Sequence, residues 1–312
     1  MSEAPALNGF TAAAKIIHWL EIGQHLSLPI NLDTVRELLP ETPFGQSETI
    51  KPPQPITWSS SEGALVRNPD NEKEWGIFYN AKVGPERQRF TIAHELGHFI
   101  LHRKSQPTFN CSKESIYSGS DGLIKLEREA DDFASNLLMP GNLLRQKIEG
   151  QEVDFRLLGK LAKEFGVSLE AMCIRFIKYT DLRAALVYWD HGFMKYQWRS
   201  QSSIRTKVRL RQSSEPQEPP RNSLAADDDI TQELDGLEMS ADVWCPSEPS
   251  DIRLREMKHT YREANRVLSL LILESAAPRP FVQSGWEDEK QHDSFDRFVD
   301  SAKTLGENHG RS

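Results

Sequence analysis

The stretch Arg87-Gln-Arg-Phe-Thr-Ile-Ala-His-Glu-Leu-Gly-His-Phe-Ile-Leu-His102 decides how the rest of the chain is read. Gly84 and Pro85 precede it and Glu86 falls in its first turn, a helix start with proline at the first position and a carboxylate at the positive end. Phe90, Ile92, Ala93, Leu96, Phe99 and Ile100 recur at helical spacing, which predicts a buried helix. Within it, His94-Glu-Leu-Gly-His98 sets two imidazoles one turn apart, roughly 6 Å along the axis. Both can aim a nitrogen at one ion, and Zn2+ accepts imidazole at about 2.0–2.1 Å. Glu95 lies one residue round, near enough to take a proton from a zinc-bound water without being a ligand.

Two histidines need a third ligand. His102 continues their face, but eight residues of straight helix place it roughly 12 Å from His94, so it is read as a supporting or structural group. The better candidate lies in Leu126-Glu-Arg-Glu-Ala-Asp-Asp-Phe-Ala-Ser-Asn-Leu-Leu-Met-Pro140, a second predicted helix with Asp121 near its start and Pro140 at its end. Glu127, Ala130, Asp131 and Ala134 share one face. Alanines opposite Gly97 would let the two helices approach until Glu127 reaches the metal. Asp131, one turn on, can accept the other ring N–H of a ligating histidine and so fix its tautomer. Glu129 is expected to point to nearly the opposite face and is set aside. His94, His98 and Glu127 leave a fourth position open, which is the plan of a catalytic rather than a structural zinc site.

These residues also carry a resemblance. RFTIAHELGHFILH followed by EREADDFASNLLMP is similar to the ImmA/IrrE family of zinc metallo-endopeptidases. The likeness extends upstream to AAKIIHWL and LSLPINLDTV and downstream to LAKEFGVSLEAM, roughly residues 10 to 200. It implies metal ligands at His94, His98 and Glu127, a general base at Glu95, and an intracellular bacterial or phage protein. It further implies a protein substrate, a helix-turn-helix repressor whose cleavage switches on the genes it controls.

Composition is ordinary for a soluble protein. A chain of 312 residues, 38% apolar, can bury the core of one large or two ordinary domains. Net charge is −8, which argues against a strongly basic nucleic-acid binder, so direct nucleic-acid contact is not expected. Cys111, Cys173 and Cys245 lie far apart without paired spacing and are read as reduced thiols of a cytoplasmic protein. No signal peptide and no apolar run long enough for a membrane span are visible.

Taken in order, residues 10–27 predict an amphipathic helix and a short helix follows between Asp33 and Pro40. Strands are expected at Gly63–Arg67 and Trp75–Tyr79, and the segment 103–122 reads as a loop rimming the cleft. His102 and Tyr117 are candidates for stabilising the oxyanion, with no choice between them. Residues 154–179 have the spacing of a helix-turn-helix, with Gly166 at the turn. Its second helix offers only Arg175 and Lys178 as bases, which favours a structural helix pair. Strands are expected at Ala184–Trp189 and Phe193–Trp198. Ile204–Arg211 reads as a strand with Arg205, Lys207, Arg209 and Arg211 on one side, an ordinary solvated face or a patch for an acidic partner. Residues 212–229 suggest a linker, continued by an acidic run to Glu238. A helix is expected over Asp251–Ser275, followed from Pro278 by a polar tail.

The sequence thus predicts an α+β, gluzincin-like metallopeptidase domain with a small sheet over residues 1–200, including the helix-turn-helix-like segment 154–179. A strand with an acidic, Pro-rich linker over 201–240 and a separate C-terminal helical region over 241–312 complete it. The alternative is a non-proteolytic protein- or DNA-binding regulator, or a toxin–antitoxin partner, retaining the metallopeptidase fold.

Overall fold

A computed structural model of the chain describes residues 7–57, 61–112, 121–211, 216–261 and 265–275. These fall into two compact units. The first takes residues up to 144 together with 163–168; the second takes 145–162 and 169 onward.

The first unit opens with α1 (Gly9–Ile22), where Asn8 and Thr11 form a reciprocal capping box and Ala12, Ala13, Ile16, Ile17 and Leu20 are buried. This helix ends five residues before the expected Ser27, because the chain turns at Gly23 and at Gln24, which has φ 58°. Next comes α2 (Leu32–Leu38), capped by the Asn31 side chain. Strands β1 (Thr49–Ile50), β2 (Gln54–Ile56), β3 (Ser61–Arg67) and β4 (Glu74–Asn80) follow. β3 and β4 fall on the two expected strands and pair antiparallel, with Leu65 opposite Ile77, both fully buried.

The motif-bearing helix is α3 (Pro85–His102), entered from an extended Gly84 with Pro85 at its start. Strand β5 (Thr108–Ser112) then adds to the sheet, whose order is β1-β4-β3-β5, with β2 also on β4. The expectation of a loop across 103–122 is corrected here: Thr108 and Asn110 are exposed while Phe109 and Cys111 are buried, the period-two pattern of a half-buried strand. β5 pairs with β3 across a bulge between Ser61 and Gly63, so that Gly63 stands opposite Cys111. Tyr117 lies outside the described residues.

Helix α4 (Asp121–Leu138) carries the second motif. It packs on α3 where Gly97 faces Ala130, and a methyl added at Gly97 would come within 3.1 Å of Ala130 Cα. The small residues therefore set the separation of the two helices, as their pattern predicted. α5 (Gly141–Ile148), α6 (Phe155–Phe165) and α7 (Leu169–Tyr179) follow, with Gly166 at φ +67° ending α6. In α7, Arg175 is buried with its guanidinium 4.2 Å from the centre of the Tyr179 ring.

The second unit is organised on an antiparallel sheet of order β7-β6-β10-β9-β8. β6 (Arg183–Asp190) and β7 (Phe193–Arg199) form the expected hairpin. The expected helix over 251–275 is instead two strands, β9 (Arg253–Tyr261) and β10 (Arg266–Leu273). β10 is paired on both edges and buried along most of its length, so its run of apolar residues has no alternation. Such a run cannot be told from a helix by periodicity.

The expected strand over 204–211 is also corrected. Ser200 caps a short helix, α8 (Gln201–Arg205), and Lys207 has φ 58°. Val208 and Leu210 are buried while Arg205, Lys207, Arg209 and Arg211 are exposed. The expected linker is structured over its described part. Leu224–Ala226 form a buried turn whose first two N–H groups donate to the Glu256 carboxylate at 3.0 and 2.9 Å, and Trp244 Nε1 donates to it at 2.8 Å. The acidic run forms much of β8 (Gln232–Ser240), paired to β9. Residues 212–215 and those from Pro278 lie outside the described residues. Among the described residues no helix is long and apolar enough to cross a membrane.

Candidate metal centre

The helical repeat of α3 brings His94 and His98 onto one face, with their Nε2 atoms 3.0 Å apart. Glu127, projecting from α4, reaches both: Oε2 lies 3.2 Å from His94 Nε2 and Oε1 lies 3.3 Å from His98 Nε2. Asp131, one turn along α4, accepts from His94 Nδ1 at 2.8 Å. That bond places the His94 proton on Nδ1 and leaves the Nε2 lone pair facing Glu127.

His98 is oriented by a longer route. Its Nδ1 lies 3.1 Å from Nδ1 of His102, whose Nε2 is 3.0 Å from Glu129 Oε2. With the His102 Nε2–H donating to Glu129, His102 Nδ1 accepts from His98 Nδ1–H, and the His98 Nε2 lone pair is again turned to the centre. His102 thus stands behind the centre rather than in it. The expectation for Glu129 is corrected: it lies on the α3 side of its helix, where it meets His102 one turn of α3 away from the centre.

A fourth donor comes from a residue that the sequence motifs do not include. Cys111 is buried, and its Sγ lies 3.3 Å from His94 Nε2 and 4.0 Å from Glu127 Oε1. β5 delivers it. Phe109, two residues earlier on the same face, stacks on the His98 ring at 4.6 Å and 19°. The one local signal is the alternation in Thr108-Phe-Asn-Cys111; its partner across the sheet, Gly63, is far away in sequence.

Donor atoms of His94, His98, Cys111 and Glu127 all lie within 4.8 Å of one another. Ligands tetrahedrally placed at zinc distances, about 2.0–2.3 Å, stand about 3.3–3.6 Å from each other. The donor pairs above, at 3.0–4.0 Å, bracket that range. Imidazole, carboxylate and thiol are also donors that suit zinc. The residues fit the ion.

Electrostatics sharpen the division of roles. Burial would raise the Glu127 pKa, but its close contacts with His94 and His98 outweigh it and hold the carboxylate well below its usual range. Burial pushes His98 down to about 4, so its imidazole is neutral near pH 7. Burial also opposes charge on His94, yet Cys111, Asp131 and Glu127 together raise it well above the usual imidazole value. The negative groups here are the Asp131 and Glu127 carboxylates, since burial keeps the Cys111 thiol protonated, and a bound cation would take the place of the second His94 proton.

Glu95 is different. It is fully buried, neither carboxylate oxygen has a hydrogen-bond partner among the described residues, and burial pushes its pKa up to about 8. Room for it comes from Gly63 on β3, where an added Cβ would stand 2.6 Å from Glu95 Oε1 and 2.4 Å from Thr91 Cγ2.

Comparison with known proteins points to the same stretch. Residues 56–176 match the family model described as the IrrE N-terminal-like domain, Peptidase_M78, a narrower span than the roughly 10–200 of the sequence resemblance. The chain is 30% identical to the radiation response metalloprotease IrrE of Deinococcus radiodurans over 106 residues, 34% of this chain and 32% of that protein. It is 41% identical to the metallopeptidase ImmA of Bacillus subtilis over 66 residues, 20% of this chain and 34% of that one. The chain thus spans about a third of the length of each curated relative. Among solved structures, a Mycobacterium tuberculosis transcriptional regulator superposes with TM-score 0.46 at 15% identity, covering 84% of this chain and 75% of that one.

Proposed function

From the premise that this chain is an ImmA/IrrE-family protein through residues 56–176, we infer that it is a zinc-dependent endopeptidase acting on a protein substrate. The observation that carries this reading is the convergence of His94, His98 and Glu127 on one point, with Glu95 buried and unpartnered among the described residues beside them. His94, His98 and Glu127 would hold the ion, with Asp131 orienting His94. When bound, zinc supplies Lewis acidity to the scissile carbonyl and brings the pKa of a water towards about 7.

The chain's own residues do the rest. Burial raises the proton affinity of Glu95, and a nearby cation draws it back down, which suits a carboxylate to taking a proton from the attacking water. Glu95 then returns that proton to the leaving amine. His98, neutral through burial, keeps its lone pair available near pH 7. The family resemblance makes a helix-turn-helix repressor the proposed substrate and limited proteolysis the proposed outcome.

One observation favours a second reading. Four donors within reach of a single point resemble a closed structural site more than an open catalytic one, as expected of a regulator that keeps the fold and acts by binding. The experiment compares new protein N-termini in a lysate given zinc-loaded protein or its Glu95→Gln form. A terminus that appears in a DNA-binding regulator with the first alone supports the peptidase. Equal termini in both samples, with metal confirmed present, point to the binding regulator or to an enzyme awaiting its trigger; equal termini from a Cys111→Ala form and its Glu95→Gln double variant as well would reject the peptidase.

A further inference from the structure

We propose that Cys111 is the fourth donor of this metal site, closing the position that a substrate carbonyl would need, so that the loaded protein is latent until the sulfur is displaced. This deepens the peptidase reading and rests on it for the identity of the other three ligands.

Three observations carry the inference. The sulfur is buried and sits 3.3 Å from His94 Nε2, the separation expected of two donors sharing one ion. It is placed by register: β5 pairs with β3 so that Gly63 and Cys111 are directly opposed, and opposed residues face the same side of a sheet. Phe109, on the same face of β5, is stacked on His98, which anchors the strand against the metal-bearing helix.

The other buried thiols make the contrast. Cys173 lies in α7 and Cys245 lies in the second unit's core cluster, and neither belongs to a group of potential metal donors among the described residues. Ligation converts the Cys111 thiol to a thiolate and releases its proton to solvent as the metal–sulfur bond forms; reversal needs a proton and a replacement ligand. A water or a substrate carbonyl oxygen can take the vacated position once β5 moves the sulfur away. Glu95, beside the same position, then has a reactant to act on.

The test uses the full-length protein loaded with zinc and, separately, with cobalt(II), alongside Cys111→Ala and Cys111→Ser. X-ray absorption on the zinc form should show one sulfur neighbour at about 2.3 Å beside nitrogen and oxygen neighbours at about 2.0–2.1 Å. The cobalt form should show a sulfur-to-metal charge-transfer band. Both signals should be lost in either variant while one ion per chain remains bound. Azide added to the cobalt protein should leave the wild-type visible spectrum unchanged and shift that of Cys111→Ala, whose fourth position is open.

One bound ion without a sulfur signal in the wild type would overturn the inference while leaving the three-ligand site standing. A sulfur signal together with an azide response in the wild type would overturn the latch, since the metal would then be open beside the thiolate. Failure of the wild type to bind any divalent ion would instead remove the peptidase reading beneath both.

Discussion

Gly63→Ala is a small substitution with a sign that depends on the geometry around Glu95. In an ordinary strand, replacing glycine by alanine stabilises by roughly 0.5–1 kcal/mol, because glycine has more freedom to lose on folding. Here the new methyl would stand 2.4 Å from Thr91 Cγ2 and 2.6 Å from Glu95 Oε1, where contacts of about 3.5–4 Å are comfortable. Both obstacles belong to α3, so either β3 is pushed from the helix or the two side chains rotate together. Overpacking on this scale costs about 1–3 kcal/mol. For a domain of this size that lowers the melting temperature by roughly 2–12 °C, at about 2–4 °C per kcal/mol. Displacing Glu95 by about 1 Å should also lower peptide cleavage by about 10²-fold.

The assay is a double-mutant cycle with Thr91→Ser, which deletes the closest obstacle. Chemical denaturation of the four proteins should show Thr91→Ser recovering part of the loss only in the Gly63→Ala background, a coupling of at least about 0.5 kcal/mol. If Gly63→Ala proves neutral or stabilising, or if the two substitutions add without coupling, the close packing of β3 on the motif-bearing helix is not what places Glu95.

Other outcomes follow from the same structure. Asp131→Asn should weaken zinc binding by about 10–100-fold, measured by competition with a chromophoric chelator, because the hydrogen bond fixing the His94 tautomer is lost or reversed. Zinc at about a thousand times its dissociation constant should stabilise the first unit by about 4 kcal/mol, and a chelator should abolish the gain in calorimetry. In the second unit, burial raises the Glu256 pKa above the ordinary value of 4.5 despite hydrogen bonds from Trp244, Ala225 and Leu224. A raised folded-state pKa means the folded protein holds the proton longer, so the contribution to stability falls as pH rises from the unfolded value through the folded one. Glu256→Gln should flatten that part of the stability profile, followed by denaturation across the pH range, and should cost about 1–3 kcal/mol at low pH through the mismatched amide.

The legible parts of the sequence are those whose partners lie close along the chain. His94 and His98 are one turn apart, and Glu127 and Asp131 are one turn apart on a helix whose alanines announce close packing. The hairpins β3–β4 and β6–β7 are likewise marked by short turns between alternating segments. Cys111 escapes such a reading because its position depends on pairing with Gly63, far away in sequence, and nothing within residues 103–112 states which strand β5 joins. β9 and β10 read as a helix because a central strand buried on both faces loses its alternation. The strand expected over 204–211 fails for a local reason, the Ser200 cap, which a longer-range alternation of bases conceals.

The bulge between Ser61 and Gly63 has a consequence for how this protein can change over time. Side chains alternate with a period of two, so sliding β5 by one residue against β3 would turn Phe109 and Cys111 outward and present Asn110 to the histidines instead. The Ser61 hydroxyl, donating to Asn110 Oδ1 at 2.9 Å, helps to hold the present alignment. Point substitutions in the connection between α3 and β5 should therefore pass with little effect on the donor set. A single inserted or deleted residue there is another matter: unless the bulge absorbs it, it exchanges one donor chemistry for another without altering any residue of the motifs.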